Sequence, residues 1–234
     1  MRVPDDLELM RIQIETLFTH DSRGRMVRVN EPEGKPAPRF FLGRTARGKV
    51  WRFRHDIDDG LAQELDSACR REAEGDDFEA PPHGATPYEK LLARSAPIQR
   101  REAGPAYRFP EELATSSGAV AITPENIDLL HPHLEDWLGD IAFRQHAMAF
   151  LVEGRAVSVC CSVRIAPIAH EAGVETAKEF RGRGYASRVV SAWASAVRTA
   201  GRIPVYSTSW ENRASLAVAR KLGLVRFGTD LHIT

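Results

Sequence analysis

Apolar residues at Leu7, Met10, Ile14 and Leu17 recur at helical spacing and predict a first helix from about Asp6 to Phe18. Shorter apolar runs at Met26 to Val29, Arg39 to Leu42 and Val50 to Phe53 are parted by Gly-Lys-Pro and Arg-Gly-Lys segments and read as small antiparallel strands. Leu61, Leu65, Ala68 and Cys69 restore helical spacing, with Asp58 or Asp59 placed as the cap. Glu74 to Thr86, rich in Glu, Asp, Pro and Gly, reads as a loop. Thr86-Pro87-Tyr88-Glu89 then joins a capping box to proline at the first helical position, and predicts a short helix to about Arg94. Gln99 to Pro110, charged and proline-bearing, reads as a linker closing an α+β module over residues 1–105.

The second half, residues 106–234, has a different rhythm. Thr123-Pro124-Glu125 starts a predicted helix whose inward face is Ile127, Leu130, Leu134 and Leu138, ending near Gly139. His146 to Glu153 and Ala156 to Arg164 are apolar runs joined by Glu153-Gly154-Arg155, the pattern of a hairpin. Ala172 to Thr176 is strand-like, and Ala186, Val189, Val190, Trp193 and Val197 line one face of a helix from about Tyr185 to Gly201. Ile203 to Trp210 reads as a strand and Asn212 to Leu222 as a last helix closed by Gly223, with room for about one further strand. A hairpin followed by β-α-β-α predicts an α/β fold, a mixed sheet flanked by helices, preceded by the smaller N-terminal module.

Composition narrows the partners. At 234 residues and 43% hydrophobic, the chain can bury one large or two small cores. With 32 basic against 32 acidic residues, neither nucleic acid nor an anionic membrane is an expected partner, and a small molecule is. No apolar run is long enough to span a bilayer, and Asp5, Asp6, Leu7 and Glu8 do not follow signal-peptide order, so a cytoplasmic protein is expected. Cys69, Cys160 and Cys161 suit neither a disulfide framework nor a zinc site. His131-Pro132-His133 looks metal-like, but no cluster completes it; no metal is expected.

Chemistry concentrates at Arg181-Gly182-Arg183-Gly184-Tyr185-Ala186, between a strand and an amphipathic helix. A glycine-rich turn feeding a helix N-terminus aims unpaired backbone N–H groups at one spot, and the helix dipole adds positive potential. Arg181, Arg183 and Arg188 reinforce it, so a phosphate is the expected ligand. Ser187 stands where a dinucleotide fingerprint needs a third small residue, and Gly-Lys-Ser/Thr of a P-loop is absent. Arg-x-x-Gly-x-Ala remains. With Glu171 to Thr176 before it, and Asn212-Arg213-Ala214-Ser215 and Lys221-Leu222-Gly223-Leu224 after it, the chain resembles the GNAT N-acetyltransferase superfamily over roughly 119–224.

The resemblance implies acetyl-CoA as co-substrate and direct attack of an amine acceptor on the thioester. By the same resemblance, Arg181, Gly182, Arg183, Gly184, Tyr185 and Ala186 hold the pyrophosphate. Backbone amides near Val174 and Thr176 grip the pantetheine and polarise the carbonyl, and Asn212, also a good helix cap, touches the pantetheine arm. Many relatives carry a general-acid tyrosine seven residues after that asparagine, where this chain has Ala219, which leaves Tyr206, Ser207, Ser209, water or substrate as proton partners. Glu175 is the candidate base, with recognition of a cationic substrate as its alternative role, and Glu171 is in reserve. The two carboxylates stand about 13 Å apart along a strand and cannot share one proton transfer. Lys221 reads equally as a solvated helix-end cation and is not counted in the site. Two other functions stay open. One is a non-catalytic acyl-CoA sensor, suggested by Ala219. The other is a regulatory module, since Phe18 to Asp21 and Gly24 to Met26 faintly resemble a sensory PAS strand and turn. Room for a single strand after Leu224 makes completion of the sheet by the N-terminal module, or by a second subunit in a homodimer, a further expectation.

Overall fold

The computed structural model describes residues 4–72, 86–113, 118–139, 141 and 143–234, so the loop expected over 74–85 lies outside the described residues. In chain order the elements are α1 (Asp6–Leu17), β1 (Phe18–His20), β2 (Met26–Val29), β3 (Phe40–Thr45), β4 (Gly48–Phe53), α2 (Asp59–Arg71), α3 (Pro87–Ala93) and β5 (Arg101–Arg108). These are followed by β6 (Ala119–Ala121), β7 (Gln145–Val152), β8 (Arg155–Ile165), β9 (Ala169–Thr176), α4 (Tyr185–Thr199), β10 (Ile203–Ser207), α5 (Arg213–Lys221) and β11 (Val225–Ile233). The fold is mixed α/β, as the patterning predicts. The chain forms two compact units, one of residues 1–107, 207–212 and 226–234, the other of residues 108–206 and 213–225.

In the first unit the strand order is β4-β3-β11-β5. The strand after Leu224 is thus an integral part of this unit: Thr229 to Ile233 pair antiparallel with Arg44 to Phe40 of β3. Phe40, Leu42, Leu231 and Ile233 point to one side and pack with Leu65 and Cys69 of α2 and Tyr88 and Leu92 of α3. Both helices start as the sequence predicts. The Asp58 carboxylate accepts from the Gly60 and Leu61 N–H groups, and Thr86 and Glu89 complete a capping box, each cap worth about 1 kcal/mol. Arg39, almost fully buried, donates to the Leu92 and Ala96 carbonyls and so closes the far end of α3.

The expected linker at 99–110 is instead largely strand β5, with Gly104, Pro105 and Ala106 buried. Thr208 N–H donates to the Pro105 carbonyl and Trp210 N–H to that of Ala103. A Cβ on Gly104 would collide with the Thr208 carbonyl, so close backbone approach requires glycine there. Charge and proline looked like a linker because nothing local in the sequence reports a partner a hundred residues away.

In the second unit the order is β10-β9-β8-β7-β6. β7 and β8 form the expected hairpin, turning through Glu153 and Gly154, both at positive φ. The helix expected over 123–139 is not formed. Two 3-10 turns, Ile127–Leu130 and Glu135–Trp137, stand in its place, split around Pro132, which has no N–H for a helical bond and whose ring crowds the preceding turn. The apolar spacing nevertheless does its work, since Leu130 and Leu134 are buried with Ile122, Ala149, Val159 and Cys161. α4 covers the opposite side of the sheet, burying Val189, Val190, Trp193 and Val197. The three cysteines are buried thiols, and among the described residues no helix is long and apolar enough to cross a membrane.

Candidate functional site

β9 changes its bonding halfway along. Its start is paired on both sides, with β8 antiparallel and with β10 parallel through Ile203↔Ala169, Pro204↔His170 and Val205↔Glu171. Beyond Glu171 the pairing with β10 stops, while that with β8 continues to Ser158↔Thr176. The Ala177 N–H donates to the Val157 carbonyl on β8, so strand alternation turns the N–H groups of Val174 and Thr176 the other way, into the fork left by β10. These are the two backbone sites the sequence singled out. A bulge at Val163 of β8 lies beside the fork, and Gly173 leaves space for its side chain.

The fork leads into the glycine loop. After a 3-10 turn at Lys178–Phe180 the chain passes Gly182 and Gly184, with φ of 75° and 83°, values costly for any residue with a Cβ. The loop is braced from within. Arg181 Nε donates to the Thr176 carbonyl at 3.0 Å, and Arg183 donates to the Glu179 carbonyl at 3.2 Å with its guanidinium over the Phe180 ring. Ser187 Oγ donates to the Gly184 carbonyl at 2.8 Å. No side chain caps the N-terminus of α4 and its first turn holds no acidic residue, so the first N–H groups and the dipole are left for an anion. A Cβ added at Gly182 would meet nothing within 4 Å. Tyr185 stacks on Phe150 at 4.7 Å, with the Arg188 guanidinium over that same ring.

Lys221, which the sequence reading leaves out of the site, stands beside the loop. Its Nζ occupies the place a Gly184 Cβ would take, which brings a cation from the end of α5 to the first turn of α4. Its position in the last turn of a helix disguised it as an ordinary surface lysine; its placement needs α5 to pack on α4.

Strand alternation places Glu171, Gly173 and Glu175 on the face away from α4. Trp137 Nε1 donates to Glu175 Oε2 at 2.5 Å, and the Arg144 guanidinium stacks over the Trp137 ring at 4.5 Å. Ser158 Oγ donates to the Glu175 carbonyl at 3.0 Å and fixes its backbone. Glu175 is half-buried, whereas Glu171, beside the last β10 pair, is buried. Trp137 gave no signal in the sequence, because its segment read as a regular helix. His131 pairs with Glu135 and His133 with Glu179; among the described residues no group of three or more His, Cys, Asp or Glu is arranged to hold a metal ion.

On the α4 face, Trp193 Nε1 donates to Ser162 Oγ at 3.0 Å, and Ser162 shares a 2.9 Å hydrogen bond with His170 Nδ1. Burial, with His146 and Arg202 nearby, pushes the His170 pKa down to about 4, so its ring is neutral at pH 7. Tyr206, the first β10 residue past the last pair with β9, is buried, and its hydroxyl lies 2.6 Å from Ser215 Oγ on α5. Ala219, one helical turn after Ser215, is buried as well. Asn212 is exposed in the turn before α5, its N–H donating to the Ser209 carbonyl at 3.1 Å.

A family model described as GNAT acetyltransferase matches residues 127–228, which span the fork, the loop and α5. Among solved structures, a GCN5-related N-acetyltransferase-like protein from Streptococcus suis 89/1591 aligns with 86% of this chain and 85% of its own at 14% identity and a TM-score of 0.50. An acetyltransferase of the GNAT family from Colwellia psychrerythraea aligns with 79% of this chain and 75% of its own, also at 14% identity and a TM-score of 0.50. At such identity the likeness is one of fold. A search of curated proteins finds no match. The matched segment, with its forked strand and glycine loop, identifies residues 127–228 of this chain as a GNAT acetyltransferase domain.

Proposed function

We propose that the protein transfers an acetyl group from acetyl-CoA to the nitrogen of a small amine by direct attack on the thioester. One observation carries the reading: the bonding of β9 to β10 ends at Glu171, and the exposed backbone edge from Ala172 to Thr176 runs straight into an anion-binding loop. A pyrophosphate fits the N–H groups of residues 182–186, with Arg181, Arg183 and Lys221 as surrounding cations. The amide-bearing pantetheine arm then pairs with Val174 and Thr176 as a strand would, and its thioester reaches toward the fork. An N–H aimed into the fork stabilises the negative charge that grows on the carbonyl oxygen.

On the other face Glu175, steadied by Trp137, receives the amine and accepts its surplus proton through water. The Glu175 carboxylate favours a cationic acceptor over a neutral one. The buried thiols suit a reducing, cytoplasmic setting. The test is calorimetric titration with acetyl-CoA beside dephospho-CoA, followed by thiol release over a panel of primary amines. Micromolar binding with turnover is expected. Binding without turnover on any amine would favour a non-catalytic acyl-CoA sensor, and no binding would remove both.

A further inference from the structure

We propose that Tyr206, hydrogen-bonded to Ser215, donates the proton to the departing CoA sulfur. The inference rests on the acetyl-CoA reading above and adds to it the acid that the carboxylates cannot provide. Direct attack requires one. As the C–N bond forms and the C–S bond breaks, the sulfur leaves with the electron pair and must be stabilised as a thiolate or protonated.

Three observations select Tyr206 from the donors the sequence left open. The first is position. Val205 is the last residue of β10 paired with β9, so Tyr206 stands at the closed end of the fork. The second is direction. Pro204 pairs with His170, whose ring lies on the α4 face, and alternation puts the Tyr206 ring on that face too, opposite Glu171 and Glu175. Acid and base are then separated by the sheet edge where the thioester would sit. The third is a way to regain the proton: the hydroxyl lies 2.6 Å from Ser215 Oγ, which passes a proton from water once the sulfur has taken the tyrosine's own. His170, the other titratable group there, is neutral at working pH and its Nδ1 is engaged by Ser162.

The proton count closes with one proton released. The ammonium first gives a proton through Glu175 to water, which frees its lone pair, and the nitrogen gives a second by the same route as the C–N bond forms; Tyr206 gives one to sulfur, and water returns one to Tyr206 through Ser215. Ala219 lies one turn beyond Ser215 on the same face of α5 and is a methyl, so a tyrosine there could reach the same region.

The test needs no identified acceptor. CoA itself is the probe, bound to the full chain and titrated by thiolate absorbance, beside calorimetric acetyl-CoA affinity. In the wild type the Tyr206 hydroxyl stabilises the bound thiolate. Tyr206→Phe is expected to raise the thiol pKa by about one unit while acetyl-CoA affinity stays within about twofold. Adding Ala219→Tyr to that variant is expected to bring the pKa back down. With any amine that the wild type turns over, Tyr206→Phe should lower kcat by about 100-fold and the double variant should recover part of it. An unchanged thiol pKa in Tyr206→Phe overturns the inference alone, as does loss of affinity and melting temperature together, the mark of a purely structural tie between β10 and α5. Wild-type protein that fails to bind acetyl-CoA overturns the underlying reading, and the inference with it.

Discussion

The two halves of β9 differ in what holds them. Ala169, His170 and Glu171 are paired with strands on both sides and are buried; Ala172 to Thr176 are half-buried and paired with a strand on one side only, the Thr176 carbonyl accepting from Arg181 instead. A strand inside a sheet ordinarily satisfies both edges, because buried backbone groups left unpaired are costly. An edge that opens partway along and faces a helix N-terminus with no cap of its own is a place for another chain-like molecule. The contrast separates the part of the strand that builds the fold from the part to which the proposed function assigns the ligand.

The strongest way to break this contrast is to spoil the loop that continues the open half. Gly184→Val forces a β-branched residue to φ of 83° and drives its Cβ into Lys221, and acetyl-CoA affinity is expected to fall at least 100-fold by calorimetry. Glu175→Gln leaves the backbone edge intact. It should lower kcat by about 100-fold with acetyl-CoA affinity within twofold, and equal turnover would remove Glu175 from the chemistry. Lys221→Ala sharpens the comparison from the α5 side, with affinity weakened about fivefold to tenfold and less so in high salt. The smallest effect belongs to the closed half. The His170 pKa is depressed in the folded state, so the unfolded chain binds the extra proton between pH 6.5 and about 4, and stability is lost as pH falls through that window. His170→Gln should flatten that part of a denaturation-midpoint profile and leave acetyl-CoA binding unchanged.

What could be read from the sequence follows from how local the determinants are. Gly182 and Gly184 declare a left-handed turn by themselves, and the spacing of Val189, Val190, Trp193 and Val197 declares the face of α4, so loop and helix were legible. Thr86 and Glu89 likewise cap α3 within four residues. The Val174 and Thr176 amides were singled out only through family likeness; the fork itself depends on where β10 stops pairing, which no window of residues contains. Trp137 reaches Glu175 across 38 positions from a segment whose apolar period is helical but whose Pro132 breaks the helix. The charge and proline of Gln99 to Pro110 suggested a linker, and only the approach of Thr208 to Gly104 and Pro105 explains the segment as strand.

Residue-resolved amide exchange with and without acetyl-CoA tests the central claim most directly. The account predicts that acetyl-CoA slows exchange at Val174, Thr176 and the amides of residues 182–186, and leaves Ala169 to Glu171 as they were. Unchanged exchange along Ala172 to Thr176 under saturating acetyl-CoA would contradict it, because the open half of β9 would then be an edge that no ligand uses.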